Sequence, residues 1–444
     1  MEHKVIDGSL KSILSVTAPL MVSMASTGLF YVVDRLMLAG YSINSMNASV
    51  LSGGFIEMFL LMFIGIIYTA EVFVGQFNGS KNYKELASPT WQMIYLSLAL
   101  ILLFFPIAYF SDYINLLPTY LRDEGVIYQK ILMYSLPITL IKTSLSTFFI
   151  GQGKTKIITV SVAVGVVVNI VLDYVFIYGY GMGCKGAATA TAISETVDAL
   201  ILAFVFFNKH NRINYNTLGN CKFNKKMTWE IIKLGFPLAF GNFIVLALWY
   251  VVQGAANNIS NDQATIFNIG NVLFKLFMMI IQALEKSSSA ICANMIGRND
   301  LKSVDKAYKT FIGISLFFGL FTGILLVGFP EWILGLLNLL PDNLTSLYDE
   351  ILKIFVLITV SITIEAVVCS TWGILIGGGD AKYAMITYQI CTWIILVAPI
   401  TALYYWGMLR DVKIIFILYA ATSFAAQIVL HFRLKSLKWY RKLV

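Results

Sequence analysis

Twelve stretches of apolar sequence, each close to or beyond the ~20 residues that a helix needs to cross a bilayer, follow one another along this chain. They run approximately over 12–38, 48–76, 90–111, 127–150, 157–180, 187–207, 230–259, 263–296, 308–329, 350–377, 383–406 and 413–433. Hydrocarbon offers no partner to a backbone N–H or C=O, so a single such stretch crosses it as a helix, which satisfies those groups internally. The expected fold class is therefore all-α, a polytopic membrane protein with twelve transmembrane helices. Several windows exceed the minimum length, which implies tilt, kinks or extension beyond the bilayer. With 58% hydrophobic and 13% charged residues in 444, an ordinary soluble protein is excluded.

An even number of spans puts both termini on one side, and charge chooses the side. The N-terminus, the even-to-odd loops and the tail hold 22 of the 32 lysines and arginines, from Lys4 and Lys11 through Lys209–Lys233 to Arg433–Lys442. The opposite loops hold six: Arg122, Lys130, Lys185, Lys353, Arg410 and Lys413. That opposite face is acidic, with Asp112, Asp123, Glu124, Glu331, Asp342, Asp349 and Glu350. The positive-inside rule then predicts cytoplasmic termini in a multi-pass plasma (inner) membrane protein. The net charge of +8 reads as topology and attraction to lipid headgroups rather than nucleic-acid binding. The first apolar run is too long for a cleaved leader and is expected to act as its own insertion signal.

The most polar connector, 208–226, lies near the midpoint and separates six spans from six. It predicts an N-terminal lobe over 1–207, a cytoplasmic linker over 208–229, and a C-terminal lobe with a basic tail over 230–444. At a shift of 218 residues Pro19-Leu20 matches Pro237-Leu238, Gly79 matches Gly297 and Lys84 matches Lys302. At a shift of 226, Gly151–Lys156 matches Gly377–Lys382. Six spans per repeat keep corresponding loops on the same side, so the repeats are parallel and related by an axis along the membrane normal. Such a pair favours a substrate cavity between two rocking lobes, in which one chain suffices as a monomer. Pro19, Pro106, Pro137, Pro237 and Pro399 lie within spans as candidate kinks.

Polar residues inside these spans are the chemical signal. Asn169 and Asp173 stand one helical turn apart in a stretch, 166–177, that is otherwise lipid-soluble. A carboxylate at the centre of a membrane helix costs roughly 3 kcal/mol on insertion scales, so it faces a bundle interior and marks an ion or substrate path. Thr191, Glu195 and Asp198 share one face of the next span, and Asp34 lies in the first. Carboxylates with an amide and a hydroxyl supply hard oxygen ligands for a small cation, or a site for a proton. The plainer reading is interhelical hydrogen bonding. Glu57 and Glu71 are expected near helix ends or paired with Lys142. The positions that a 226 shift gives for Asn169 and Asp173 are Ile395 and Pro399, so the second half lacks this pair.

Val33–Gly40, Asn169–Asp173 and Gly186–Thr191 resemble the multidrug and toxic compound extrusion (MATE) transporters over essentially the whole chain, in particular their DinF-like branch. The resemblance implies a sodium or proton site made by Asp34, Asn169, Asp173 and Thr191. Glu195 and Asp198, on the Thr191 face by spacing alone, are candidate supporting acids. The resemblance further implies antiport, in which inward Na+ or H+ drives export of an amphiphilic organic compound. No other cofactor is expected. Two features depart from the family pattern: Arg35 directly follows Asp34, and the seventh span, Phe240–Tyr250, lacks the carboxylate of the NorM-like and eukaryotic branches.

Other chemistry finds little support. Gly153-Lys154-Thr155 lacks the upstream glycine and strand of a phosphate-binding loop. His3, His210 and His431 are scattered, the five cysteines show no metal or redox spacing, and no nucleophile–base arrangement suggests an enzyme. Tyr31, Trp91, Trp249, Tyr250, Trp372 and Trp393 are candidate cavity aromatics or interfacial anchors. Lys275 and Lys286 would serve an alternative, a flippase for a lipid-linked or anionic substrate. A further alternative is a non-transporting membrane receptor or scaffold.

Overall fold

The computed structural model describes residues 7–114, 117–336 and 347–444. Lys4 and Asp342, counted above, lie outside them. Among the described residues twelve helices are long and apolar enough to cross a membrane: Leu10–Tyr41, Ile43–Gly79, Ser88–Asp112, Thr119–Gly151, Lys156–Gly179, Gly183–Phe206, Lys225–Asn257, Asn261–Gly297, Leu301–Gly328, Tyr348–Gly377, Ala381–Tyr405 and Lys413–Lys435. The chain is thus an all-α, twelve-span membrane protein, and the spans are numbered here in that order.

Local chemistry marks several starts. Ser9, Ser42, Asn224, Ser260 and Asp300 each accept a hydrogen bond from the backbone N–H three residues on, which satisfies one of the N–H groups that a helix leaves open at its start. Ser42 alone, in extended conformation, joins the first span to the second. Helices continue through Pro19, Pro106, Pro137 and Pro237. Side chains add to the bonding of the Pro19 carbonyl: Thr159 Oγ1 donates to it at 2.7 Å and Ser23 Oγ at 3.0 Å.

Packing repeats between the two halves. The fourth span touches the second, third and sixth, just as the tenth touches the eighth, ninth and twelfth. The first packs on the fifth as the seventh packs on the eleventh. The spans therefore form two six-helix pseudo-symmetric lobes. The lobes meet chiefly through the first and second spans against the seventh and eighth. Outward faces carry bare apolar side chains such as Leu102, Phe204 and Phe317, as lipid contact requires, while polar side chains gather inside.

On the face that carries both termini the lobes meet backbone to backbone. A Cβ on Gly79 would stand 2.0 Å from the Asn294 carbonyl oxygen, and one on Gly297 would stand 2.3 Å from that of Gln76. The two glycines matched by the sequence repeat are therefore the pair that lets the second and eighth spans cross. Asn78 Nδ2 donates to Asn294 Oδ1 at 2.6 Å across the same junction.

Candidate ion-coupling site

The fifth span turns one narrow stripe inward: Ser161, Gly165, Asn169, Asp173 and Ile177, each four residues from the last, are buried. This is the i, i+4 face expected of an α-helix with its other faces on lipid. Directly after Asp173 the helix widens into a π segment, Tyr174–Gly179. π turns often occur at functional sites. Here the segment places Tyr178 so that its hydroxyl donates to the Met37 carbonyl of the first span at 2.7 Å. Gly40 makes room for this bond, since a Cβ there would lie 2.8 Å from the Tyr178 hydroxyl. One turn earlier on the first span, Asp34 is buried at 5% exposure. The eleventh span has a π segment too, Thr392–Val397, but after 11 α-helical residues instead of 18, so the halves share the device at different depths.

Asn169 and Asp173 have no solvent exposure, and Asp173 lies within electrostatic reach of Asp34. Both oxygens of Asp173, both amide atoms of Asn169 and Oδ1 of Asp34 have no hydrogen-bond partner. Buried polar atoms without partners are rare and costly. An inward-facing set with four such oxygens fits a small hard cation or protons, which would complete these groups. A Cβ on Gly165 would stand 3.6 Å from the Ser194 carbonyl oxygen and from Asp198 Cβ of the sixth span. Because the fifth and sixth spans are antiparallel, this register brings Thr191, half-buried, level with Asn169.

Glu195 and Asp198 belong to a different cluster. Lys142 of the fourth span meets Glu195 Oε2 at 2.6 Å and Asp198 Oδ2 at 3.6 Å. The expectation that Lys142 pairs with Glu57 or Glu71 is corrected: the sixth span supplies its partners. Glu71 instead sits buried at the lobe junction in the field of Lys286. Lys286 is itself buried, its Nζ 2.9 Å from the centre of the Tyr68 ring, so it is engaged between the lobes instead of presented to substrate.

Arg35 points away from the coupling stripe. Successive residues of a helix project about 100° apart, so with Asp34 turned inward Arg35 is exposed, yet its charge still acts on Asp34 as well as on Tyr31, Tyr250 and Lys275. Glu57 acts on the same three. Aromatic rings and charges of both signs from the first, second, seventh and eighth spans thus lie within electrostatic reach of one another.

One acid cluster was missed as a unit. Glu365 of the tenth span is 2% exposed and accepts from Tyr388 at 3.1 Å and from Ser423 at 2.5 Å; Tyr388 in turn meets Tyr419 at 3.3 Å, and its ring stacks on Trp372. Its members lie on three spans at unrelated spacings, and only Glu365 stands out in the sequence as an intramembrane acid. All five cysteines are free thiols.

A family model described as MatE matches residues 19–175 and, again, 237–403. The chain belongs to the MatE family. Among similar proteins, the probable multidrug resistance protein YoeA of Bacillus subtilis is 22% identical over 299 residues, 64% of either chain. The probable multidrug resistance protein NorM of Oceanobacillus iheyensis is 24% identical over 87% of this chain and 88% of its own. A crystal structure of a MATE protein in complex with MaL6 superposes with a TM-score of 0.88 at 18% identity, covering 98% of this chain and 99% of that one. This MATE protein thus carries two copies of one pattern, with its orphaned carboxylates in the first.

Proposed function

We propose that this MATE protein is a cation-coupled antiporter that exports amphiphilic organic compounds by alternating access. The reading places it in the plasma (inner) membrane with 1–207 and 230–444 as the moving lobes, 208–229 as their connector and both termini cytoplasmic. The observation that carries it is the set of unpartnered buried oxygens on Asp34, Asn169 and Asp173. The multidrug resistance proteins it resembles support the cargo class, and the absence of a carboxylate in Phe240–Tyr250 supports coupling in the first lobe, as in the DinF-like branch.

In the inner-closed arrangement the first span carries both Asp34 and, six residues earlier, Gly28, which packs on Leu276 and Met279 of the eighth span. Na+ or H+ arriving at Asp34 and Asp173 offsets one of their two negative charges, which relieves the repulsion between the carboxylates and lets the first and fifth spans draw together. The same rigid helix then shifts its Gly28 face at the lobe junction. A coupling free energy of about 1–3 kcal/mol changes substrate affinity roughly 5–150-fold. Arg35, Glu57, Lys275, Tyr31 and Tyr250 would meet the cargo, the aromatic faces receiving its flat or cationic part.

Efflux of a fluorescent organic cation from proteoliposomes, under separately imposed Na+ and H+ gradients, tests this with wild-type and Asp173→Asn protein. Gradient-driven flux in the wild type and its loss in the variant are expected, and the effective gradient names the ion. Equal flux in both proteins refutes the site. The exposed Arg35 and Lys275 favour, as a second reading, an anionic or lipid-linked cargo; wild-type flux of such a cargo alone would select it. No flux of either cargo would favour a receptor or scaffold.

A further inference from the structure

On the face that carries both termini, a cavity of about 340 Å³ is lined by Lys233 of the seventh span, Gly379, Asp380 and Lys382 at the turn into the eleventh, and Lys438, Trp439, Tyr440 and Arg441 of the C-terminal tail. Four cations thus surround one acid. Asp380 is already engaged by Arg433, whose Nε stands 2.8 Å from Oδ2. Lys233, Lys382, Lys438 and Arg441 form no ion pair among the described residues. Arg441 also lies in the field of Asp380, which leaves one acid, shared with Arg433, against four lining cations; the excess positive charges repel one another unless an anion joins them.

The tail that makes one wall is pinned. Arg441 N donates to the Gly378 carbonyl of the second lobe at 3.0 Å. Leu443 N donates to Gln76 Oε1 of the first lobe at 2.7 Å, and Gln76 Nε2 donates to the Arg441 carbonyl at 3.3 Å. Trp439 is 4% exposed, its Nε1 bonded to the Leu434 carbonyl at 2.8 Å and its ring close over Gly378. The last residues therefore lie across the junction at which Gly79 and Gly297 cross, and Gln76 bonds the tail beside it.

We propose that this cavity is a binding site for a phosphate-bearing anion, and that its occupancy holds the tail across the two lobes and favours the arrangement closed on this face. Lysines at the ends of spans with a Trp–Tyr pair beside them are the chemistry of a headgroup site at a membrane surface. An anion held by Lys438 and Arg441 on the tail and by Lys233 and Lys382 on the second lobe neutralises the charges that would otherwise push the tail away. The inference rests on the proposed alternating access only for its second half; binding itself is independent of transport.

The full chain, purified in detergent, is offered phosphatidylglycerol, phosphatidylcholine or inorganic phosphate and read by native mass spectrometry, with tryptic cleavage after Lys438 as a second readout. Selective retention of phosphatidylglycerol and slower cleavage are expected. Each lysine at such a surface is worth about fivefold in affinity, so Lys233→Gln, Lys382→Gln and Lys438→Gln together weaken retention roughly a hundredfold. Lys222→Gln, Lys225→Gln and Lys226→Gln, exposed lysines outside the cavity, leave it unchanged. Retention and protection with inorganic phosphate at equal strength would assign a soluble phosphate as the ligand. No preference for either phosphate species over phosphatidylcholine, or equal loss in both lysine sets, overturns the proposal; so does binding that leaves cleavage of the tail unaltered.

Discussion

Replacing Gly79 by alanine probes the junction on which the proposed alternating access depends. The new Cβ would lie 2.0 Å from the Asn294 carbonyl oxygen, whereas ordinary contact begins at 3.4 Å. The obstacle is backbone, so no rotamer relieves it, and the second and eighth spans must separate by about 1.4 Å at that point. Overpacking of this kind costs about 1–3 kcal/mol. In the proposed cycle the crossing exists only while this face is closed, so the cost would fall on that state and move the equilibrium toward the open one by roughly 5–150-fold. Spin labels at Lys84→Cys and Lys302→Cys, exposed positions just past the two crossing ends, report the separation by pulsed electron paramagnetic resonance. Gly79→Ala should add a longer distance component, and Gly297→Ala should reproduce it. If both variants insert with wild-type distance distributions, the junction is not the closing contact.

Other outcomes follow from individual groups. Lys142→Met leaves Glu195 and Asp198 facing each other without their cation. A wholly buried pair broken this way costs 3–5 kcal/mol, and partial exposure reduces that to about 1–3 kcal/mol; thermal unfolding should show the loss, and Lys142→Met with Glu195→Gln should recover part of it. Lys154, in the turn before the fifth span, has its Nζ 2.9 Å from the Tyr215 hydroxyl, and burial pushes its ammonium down to about 8 from 10.5. The folded chain releases this proton first, so between about pH 8 and 10.5 the unfolded chain holds more protons and stability rises with pH. Lys154→Met should flatten that rise in unfolding curves, and a parallel profile would count against it. Asp300 caps the ninth span through Ser303 N at 3.2 Å and Ser303 Oγ at 2.6 Å, bonds that hold its carboxyl below the usual range. Asp300→Ala should cost about 1 kcal/mol at neutral pH, a difference that shrinks as acid protonates the carboxyl below about pH 4.

The sequence by itself determined the twelve spans, because hydrocarbon forces each apolar stretch to satisfy its backbone internally and helices alone do so locally. It also determined the repeat and singled out Asp34, Asn169 and Asp173, since an acid among valines and isoleucines is visible without any partner. It paired Gly79 with Gly297, although not as groups that touch. The tertiary structure decided everything that depends on which faces meet. Lys142 belongs to Glu195 and Asp198 because the fourth and sixth spans pack together, a fact that no spacing within either span encodes. Lys286 is engaged between the lobes for the same reason, and one step of helical rotation turns Arg35 to an exposed face while Asp34 stays buried, with the Arg35 charge still acting on it. The π segment after Asp173 replaces one hydrogen-bond register by another at little energetic difference, so its residues, Tyr174–Gly179, carry no local signal of it. The tail across Gln76 was legible only as a run of positive charge; its bonds to Gln76 of the first lobe and to Gly378 of the second arise from the approach of segments distant in sequence.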